Sequence, residues 1–150
     1  MVLDGLGSHS STAWAEEKLR QIVNRRFVDQ LPTVVTVSGN LDALDSYILA
    51  RLKAPGFAQV VEADTAADPA IFGGRIDTQQ LASQTFEAFH VHHHGLRAFE
   101  EQSLTAARDA AQAFAKNPDS WLVLSGLPGP GKTHQTKHTQ HTKHLSLIHI

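Results

Sequence analysis

The feature that most constrains the fold is a junction between an apolar run and a glycine-rich segment late in the chain. Residues 121–125 read WLVLS, a short apolar run typical of a strand that is buried on both faces of a parallel sheet. The next residues, 126–133, read GLPGPGKT and satisfy the pattern G-x-x-x-x-G-K-[ST]. The sequence therefore predicts a buried strand that leads directly into a glycine-rich turn.

The glycine-rich segment has the chemistry of a phosphate-binding loop. Its glycines let backbone N–H groups converge on phosphate oxygens, Lys132 brings positive charge to the β and γ phosphates, and the Thr133 hydroxyl can ligate Mg²⁺. Pro130 removes one backbone donor from the loop, which predicts weaker binding. The alternative is a chance glycine-rich turn. The predicted ligands are ATP and Mg²⁺, and the predicted binding residues are Gly126, Gly129, Gly131, Lys132 and Thr133.

The rest of the chain alternates between predicted strands and helices, which favours an α/β fold with a mostly parallel sheet in a three-layer αβα arrangement. Strands are predicted at the start of the chain (VLDGLG), over 33–37, over 58–62 and over 121–125; helices are predicted from a Thr12 cap, over 41–52 and over 96–116. Trp14 and Trp121 are expected to pack in the core, and Phe99 is expected on the apolar side of the last helix.

Two segments do not fit this alternation. Residues 64–95 are predicted to be a linker, and the histidines within it, His90 and His92 to His94, are a weak candidate metal site because adjacent imidazoles rarely face one ion. Residues 135–150 include TKHTQHTKH, a repeat of period three without an apolar face. We expect that tail to be disordered or non-native.

Bulk properties exclude several classes. The chain has no cysteine, so it has neither disulfides nor thiolate metal sites, and its formal charge of -2 gives no general attraction to nucleic acid. Arg20, Arg25 and Arg26 form a local basic cluster, whose alternative interpretation is a solvated helix face. No apolar run is long enough to span a bilayer, which predicts a cytoplasmic protein.

Several segments resemble DnaC/IstB-type members of the AAA+ ATPases, the bacterial helicase loaders and transposition helpers. TFEAF at residues 85–89, AFAKNPDS at 113–120 and the WLVLSGLPGPGKTH segment are similar to the start of that ATPase domain. VLDGLG, TAWAEEKLRQIVNRRFVDQLPTVVT and LDALDSYILARL are similar to its later part. The resemblance implies a P-loop AAA+ fold.

The resemblance also implies roles for individual residues. Asp4 corresponds to the Walker B aspartate that holds Mg²⁺, Ser38 or Asn40 to the polar sensor, and Arg51 to the arginine finger that reaches a neighbouring subunit's nucleotide. Gly5 departs from the family, which usually has an acidic residue there to orient the attacking water. The departure at Gly5 therefore favours a module that does not hydrolyse nucleotide in this half of the domain.

The family's parts occur here in inverted order, and two arrangements account for it. The favoured arrangement is a tandem of two modules. Residues 1–63 are the later half of one ATPase module, and residues 64–95 are the linker. Residues 96–134 are the beginning of a second module, and residues 135–150 are the tail. The rival is one permuted domain, in which strand 121–125 would insert in parallel between 33–37 and 58–62 and bring Lys132 towards Asp4.

By this resemblance the parent protein uses ATP binding and hydrolysis to control assembly on a replicative helicase or a transposase-like partner, with DNA contacted indirectly or weakly. The parent is expected to form oligomers through AAA+ interfaces, whereas this chain by itself is expected to lack a complete active site. The alternatives are a catalytically dead nucleotide-binding or scaffold module, and a truncated reading frame with no function of its own.

Overall fold

A computed structural model describes residues 1–7, 12–63 and 97–127, together with the backbone of residues 147–149. The described strands are β1 (Val2–Leu6), β2 (Thr33–Val37), β3 (Ala58–Glu62), β4 (Trp121–Ser125) and β5 (Leu147–His149); the described helices are α1 (Ala13–Val28), α2 (Ser46–Leu52) and α3 (Ala98–Lys116), with a 3₁₀ turn at Leu41–Ala43. No helix within the described residues is both long and apolar enough to cross a membrane.

The described strands form one parallel sheet with the order β3-β4-β2-β1-β5. Strand β4 lies between β2 and β3, so that Val123 faces Val35 on one side and Val60 on the other. This is the position predicted for residues 121–125 if the inverted parts share one sheet. The prediction of an α/β fold with a mostly parallel sheet is confirmed.

Helices cover both faces of the sheet. One face packs against α1 and α2 through a cluster that includes Val23 and Leu52, and the other packs against α3 through a cluster that includes Leu104 and Phe114. The connections through α1 and α2 advance across the sheet from β1 to β3, whereas α3 leads back from β3 to β4. Because crossovers are right-handed, connections that move across the sheet in opposite directions place their helices on opposite faces. This accounts for the three layers.

The strand pattern divides side chains between these layers. In β4, Trp121 and Val123 belong to the cluster under α1 and α2, and Leu122 and Leu124 to the cluster under α3. All four side chains are fully buried. This burial on both faces is why β4 reads as a continuous apolar run.

Helix α1 begins where its sequence predicts, because the Thr12 hydroxyl accepts a hydrogen bond from the Ala15 N–H at 3.2 Å. The helix predicted over residues 41–52 is instead divided. Asn40 caps the 3₁₀ turn, Leu44 is extended, and the Asp45 carboxylate caps a new start at α2. Two capping side chains five residues apart in the sequence therefore interrupt what the apolar spacing alone predicts to be one helix.

Two aromatic predictions are wrong. Trp14 is 72% exposed and Phe99 is 55% exposed, whereas Trp121 is fully buried as predicted. Both exposed rings lie in the first turn of their helices, α1 and α3.

Within the tail that the sequence predicts to be disordered or non-native, Leu147–His149 forms β5 along the outer edge of β1. The apolar residues of LSLIHI suit strand pairing, unlike the polar repeat before them. The remainder of the tail, and the linker predicted at 64–95, lie outside the described residues.

Candidate functional site

The carboxyl edge of the sheet is built from glycine turns. Strands β1, β2 and β4 run parallel and end at this edge, where Gly7, Gly39 and Gly126 have φ of 83°, 89° and 135°. Such positive angles cost a residue with a Cβ but are open to glycine. The Gly39 N–H donates to the Gly126 carbonyl at 2.9 Å, which fastens the turn after β2 to the start of the glycine-rich segment.

Asp4 lies in the middle of β1, two residues before the carboxyl end of the strand, and is only 4% exposed. Its Oδ1 accepts a hydrogen bond from the Thr36 hydroxyl at 2.6 Å. The same hydroxyl accepts the Gly5 N–H at 2.7 Å. The predicted metal-binding carboxylate is therefore held by the neighbouring strand β2.

Strand β1 bulges at this point. The register pairs Leu3 with Val35 and then Leu6 with Val37. Between these two pairs β1 advances by three residues and β2 by two, so β1 carries one extra residue. Gly5 lies inside the irregularity with φ of 87°, a conformation that strains a residue with a side chain. The bulge supplies a physical reason for glycine at the position where the resembled family usually has an acidic residue.

The glycine-rich segment starts at the same edge. Gly126 follows the buried Ser125 at the end of β4, two strands away from β1 in the sheet order β4-β2-β1. At the usual spacing of neighbouring strands this is a separation of roughly 10 Å between the strand axes. The other predicted binding residues of the segment, Gly129, Gly131, Lys132 and Thr133, lie outside the described residues.

The two candidate sensor residues have different surroundings. Ser38 is half-buried, and its N–H donates to the Leu6 carbonyl at 2.9 Å, which places it beside the end of β1. Asn40 is exposed, and its Oδ1 accepts the Asp42 N–H at 2.8 Å as a helix cap. The geometry therefore favours Ser38 as the polar residue nearer to Asp4.

Arg51 packs against its own chain rather than projecting into solvent. Its guanidinium carbon lies 3.4 Å from the centre of the Tyr47 ring, and its two terminal nitrogens donate to the Tyr47 carbonyl at 2.9 Å and to Asn24 Oδ1 at 3.1 Å. The predicted role of Arg51 across a subunit interface stays a prediction, since the structure describes one chain.

Each arginine of the basic cluster on α1 has a hydrogen-bond or ion-pair partner within the chain. Arg20 pairs with Asp45 at 2.8 Å and Arg25 with Asp29 at 2.5 Å. Arg26 donates to the Pro32 carbonyl at 2.7 Å and to the Thr33 hydroxyl at 2.8 Å, and burial lowers its pKa. These contacts favour the structural interpretation of the cluster over a nucleic-acid surface.

Other candidate residues add little. The histidines at 90 and 92–94 lie outside the described residues, and within the described ranges no group of three or more His, Cys, Asp or Glu side chains is arranged to hold a metal. Thr36, by contrast, is a residue beside Asp4 that sequence reasoning did not identify. The available signal was a polar residue inside the uniformly buried strand TVVTV.

Comparison of the chain with protein families, curated proteins and solved structures gave no match.

Proposed function

We propose that this chain carries the nucleotide-binding parts of an AAA+ ATPase resembling the DnaC/IstB type. The observation that carries the proposal is the strand order: β4, which leads into GLPGPGKT, lies between β2 and β3, and Asp4 is buried in β1 on the other side of β2. The resemblance implies this neighbourhood for the first strand of the domain, between the sensor strand and the last strand. Ligands of open α/β sheets bind at the carboxyl ends of the strands.

The Asp4 carboxylate supports the proposal of Mg²⁺ and ATP as the ligands. A carboxylate is a ligand that Mg²⁺ prefers, and the one on Asp4, two residues before the end of β1, is held by Thr36. Lys132 and Thr133 would engage the phosphates and the metal by motif, and Gly126 begins the loop.

The proposed mechanism is phosphoryl transfer to water. Bound Mg²⁺ would supply charge neutralisation on the phosphates. Lys132 would hold the β and γ phosphates, Asp4 would hold the metal, and Ser38 or Asn40 would contact the nucleotide as the sensor. Arg51 would act on the nucleotide of a neighbouring subunit, which requires it to leave Tyr47 and Asn24.

A second candidate is a module that binds nucleotide without hydrolysing it. The specific observation in its favour is the bulge at Gly5, because φ of 87° disfavours any side chain at the position where a second carboxylate would orient water. ATP turnover separates the two candidates. Steady release of phosphate that depends on Asp4 supports the ATPase, and tight binding without release supports the second candidate.

The partner class is proposed from the resemblance alone. It is a replicative helicase or a transposase-like protein in the cytoplasm, with DNA contacted indirectly.

Titration calorimetry with a non-hydrolysable ATP analogue, with and without Mg²⁺, tests the nucleotide site. We expect binding by the intact chain and its loss in Lys132→Ala, because removal of the ammonium leaves the phosphate charge uncompensated. Lys116→Ala is the matched control, since Lys116 is an exposed lysine at the end of α3. Binding that survives Lys132→Ala unchanged would contradict the assigned loop.

A further inference from the structure

We infer that Thr36 is a positioning residue, which sets the orientation of the Asp4 carboxylate towards the divalent cation of a bound nucleotide. The inference rests on the proposed function and adds to it a residue that the sequence did not reveal.

The hydrogen-bond directions around the Thr36 hydroxyl are fixed by what its neighbours can do. The Gly5 N–H can only donate, so the hydroxyl must accept there, at 2.7 Å. The single hydroxyl hydrogen is then left for Asp4 Oδ1, which lies 2.6 Å away and, as a carboxylate oxygen, can only accept. One hydroxyl therefore connects the bulged backbone of β1 to the carboxylate of the preceding residue.

The burial of this pair makes the orientation specific. Thr36 is 2% exposed and Asp4 is 4% exposed, so water has little access to replace the hydroxyl hydrogen if the carboxylate turns away. Groups that hydrogen-bond to a metal ligand hold it in place, and removing such a group typically weakens metal affinity by about tenfold to a hundredfold. The same range is expected for loss of the Thr36 hydroxyl.

The geometry of the bulge supports the same role. The pair of Leu3 and Val35 directly precedes Asp4 and Thr36, so the register of the two strands already brings Asp4 beside Thr36. The Gly5 N–H, inside the bulge, donates to the same hydroxyl. Bulges are common beside functional sites, and Thr36 holds this one from β2.

The experiment measures binding of a fluorescent ATP analogue as a function of Mg²⁺ concentration in the intact chain. We expect Thr36→Val to need about tenfold to a hundredfold more Mg²⁺ for half-maximal binding, with affinity in EDTA unchanged. Thr36→Ser keeps the hydroxyl and is expected to restore the Mg²⁺ dependence. A merely structural role would lower thermal stability without this selective shift.

Thr33→Val is the matched control, because Thr33 is a fully buried threonine on the same strand whose hydroxyl donates to the Leu31 carbonyl instead. It is expected to change stability and leave the Mg²⁺ dependence unaltered. If Thr36→Val does not fold, as judged by circular dichroism, Thr36→Cys takes its place, since a thiol is a weaker donor of similar size.

The outcomes distinguish a failure of the positioning role of Thr36 from a failure of the proposed nucleotide binding. If the intact chain binds the analogue with a Mg²⁺ dependence that Thr36→Val or Thr36→Cys leaves unchanged, the positioning role is overturned and the nucleotide site stands. If the intact chain does not bind the analogue at any Mg²⁺ concentration, the proposed function itself fails.

Discussion

The Thr36 hydroxyl lies 2.6 Å from Asp4 Oδ1, although the two residues are 32 positions apart in the chain and belong to neighbouring strands. Their contact fastens β1 to β2 at the carboxyl edge of the sheet, where β4 also ends. A buried carboxylate needs hydrogen-bond donors in place of water, and Thr36 supplies one. The pair therefore bears on stability as well as on any ligand at that edge.

Thr36→Val is expected to lower the free energy of unfolding by about 2 kcal/mol, because it removes a hydrogen bond to a charged, buried group. In an Asp4→Ala background the same substitution should cost less, since no carboxylate is left to satisfy. Urea unfolding of the four chains measures this coupling. Equal costs in both backgrounds would show that the two side chains do not stabilise each other.

Gly7 and Gly39 offer a comparison between backbone strain and steric contact. Their φ values, 83° and 89°, are nearly the same, but a Cβ on Gly7 would meet Leu44 Cδ2 at 3.3 Å, and one on Gly39 would meet nothing within 4 Å. Each Gly→Ala change is expected to cost roughly 1 kcal/mol from the left-handed backbone. Gly7→Ala should cost more, by the amount needed to displace Leu44.

Unfolding measurements on both glycine variants, repeated in a Leu44→Ala background, test this difference. The shortened side chain at position 44 should remove the extra cost of Gly7→Ala and leave Gly39→Ala as before. If the two variants are equally destabilised with Leu44 present, the contact at 3.3 Å has no energetic weight.

Short-range sequence patterns predict the individual strands and the start of the first helix. The buried strands β2 and β4 were predicted from short apolar or β-branched runs, and the start of α1 from Thr12, because each signal lies within a few residues of its effect. The position of β4 between β2 and β3 is predicted only by the less favoured, permuted arrangement, which itself rests on the family resemblance. Nothing in the spacing of WLVLS states which strands lie beside it.

The details of the site depend on contacts that are distant in sequence. The contact between Thr36 and Asp4 requires the register of β1 on β2, and the bulge at Gly5 is a property of that register. Glycine at position 5 was visible in the sequence as a departure from the family. Its positive φ was not, because a single glycine is compatible with either sign of φ.

The two tryptophans should report opposite environments. Trp121 is fully buried, with its Nε1–H donating to the Leu31 carbonyl at 3.0 Å and its ring packed against both Phe27 and Phe57, whereas Trp14 is 72% exposed. Trp14→Phe should leave a blue-shifted emission that resists iodide. Trp121→Phe should leave a red-shifted emission that iodide quenches readily.

The free energy of unfolding should also distinguish Trp121→Phe from Trp14→Phe. Trp121→Phe removes buried ring area and one hydrogen bond, and we expect a loss of about 2 kcal/mol, whereas Trp14→Phe should change the free energy of unfolding by less than about 0.5 kcal/mol. Iodide quenching of the Trp121 signal in the folded chain would contradict the packing of β4 at the centre of the sheet.

Asp45 should give the chain a specific sensitivity to acid. Desolvation acts to raise the pKa of its carboxyl, but the hydrogen bonds from Arg20 and from the Ile48 and Tyr47 N–H groups outweigh it and hold the pKa below the ordinary value of 3.8. A carboxyl whose pKa is lower in the folded state stabilises the fold above its unfolded pKa, and the contribution disappears as the pH falls through the folded pKa.

Asp45→Asn isolates this contribution, because the amide oxygen still caps α2 while the charge that pairs with Arg20 is lost. The difference in unfolding free energy between the intact chain and the variant should be constant from pH 7 to about pH 5 and should shrink below about pH 4. In an Arg20→Gln background the difference should be smaller throughout, since the strongest partner of the carboxylate is missing. A difference that stays constant down to pH 2 would show that the charge on Asp45 does not contribute to the stability of the fold.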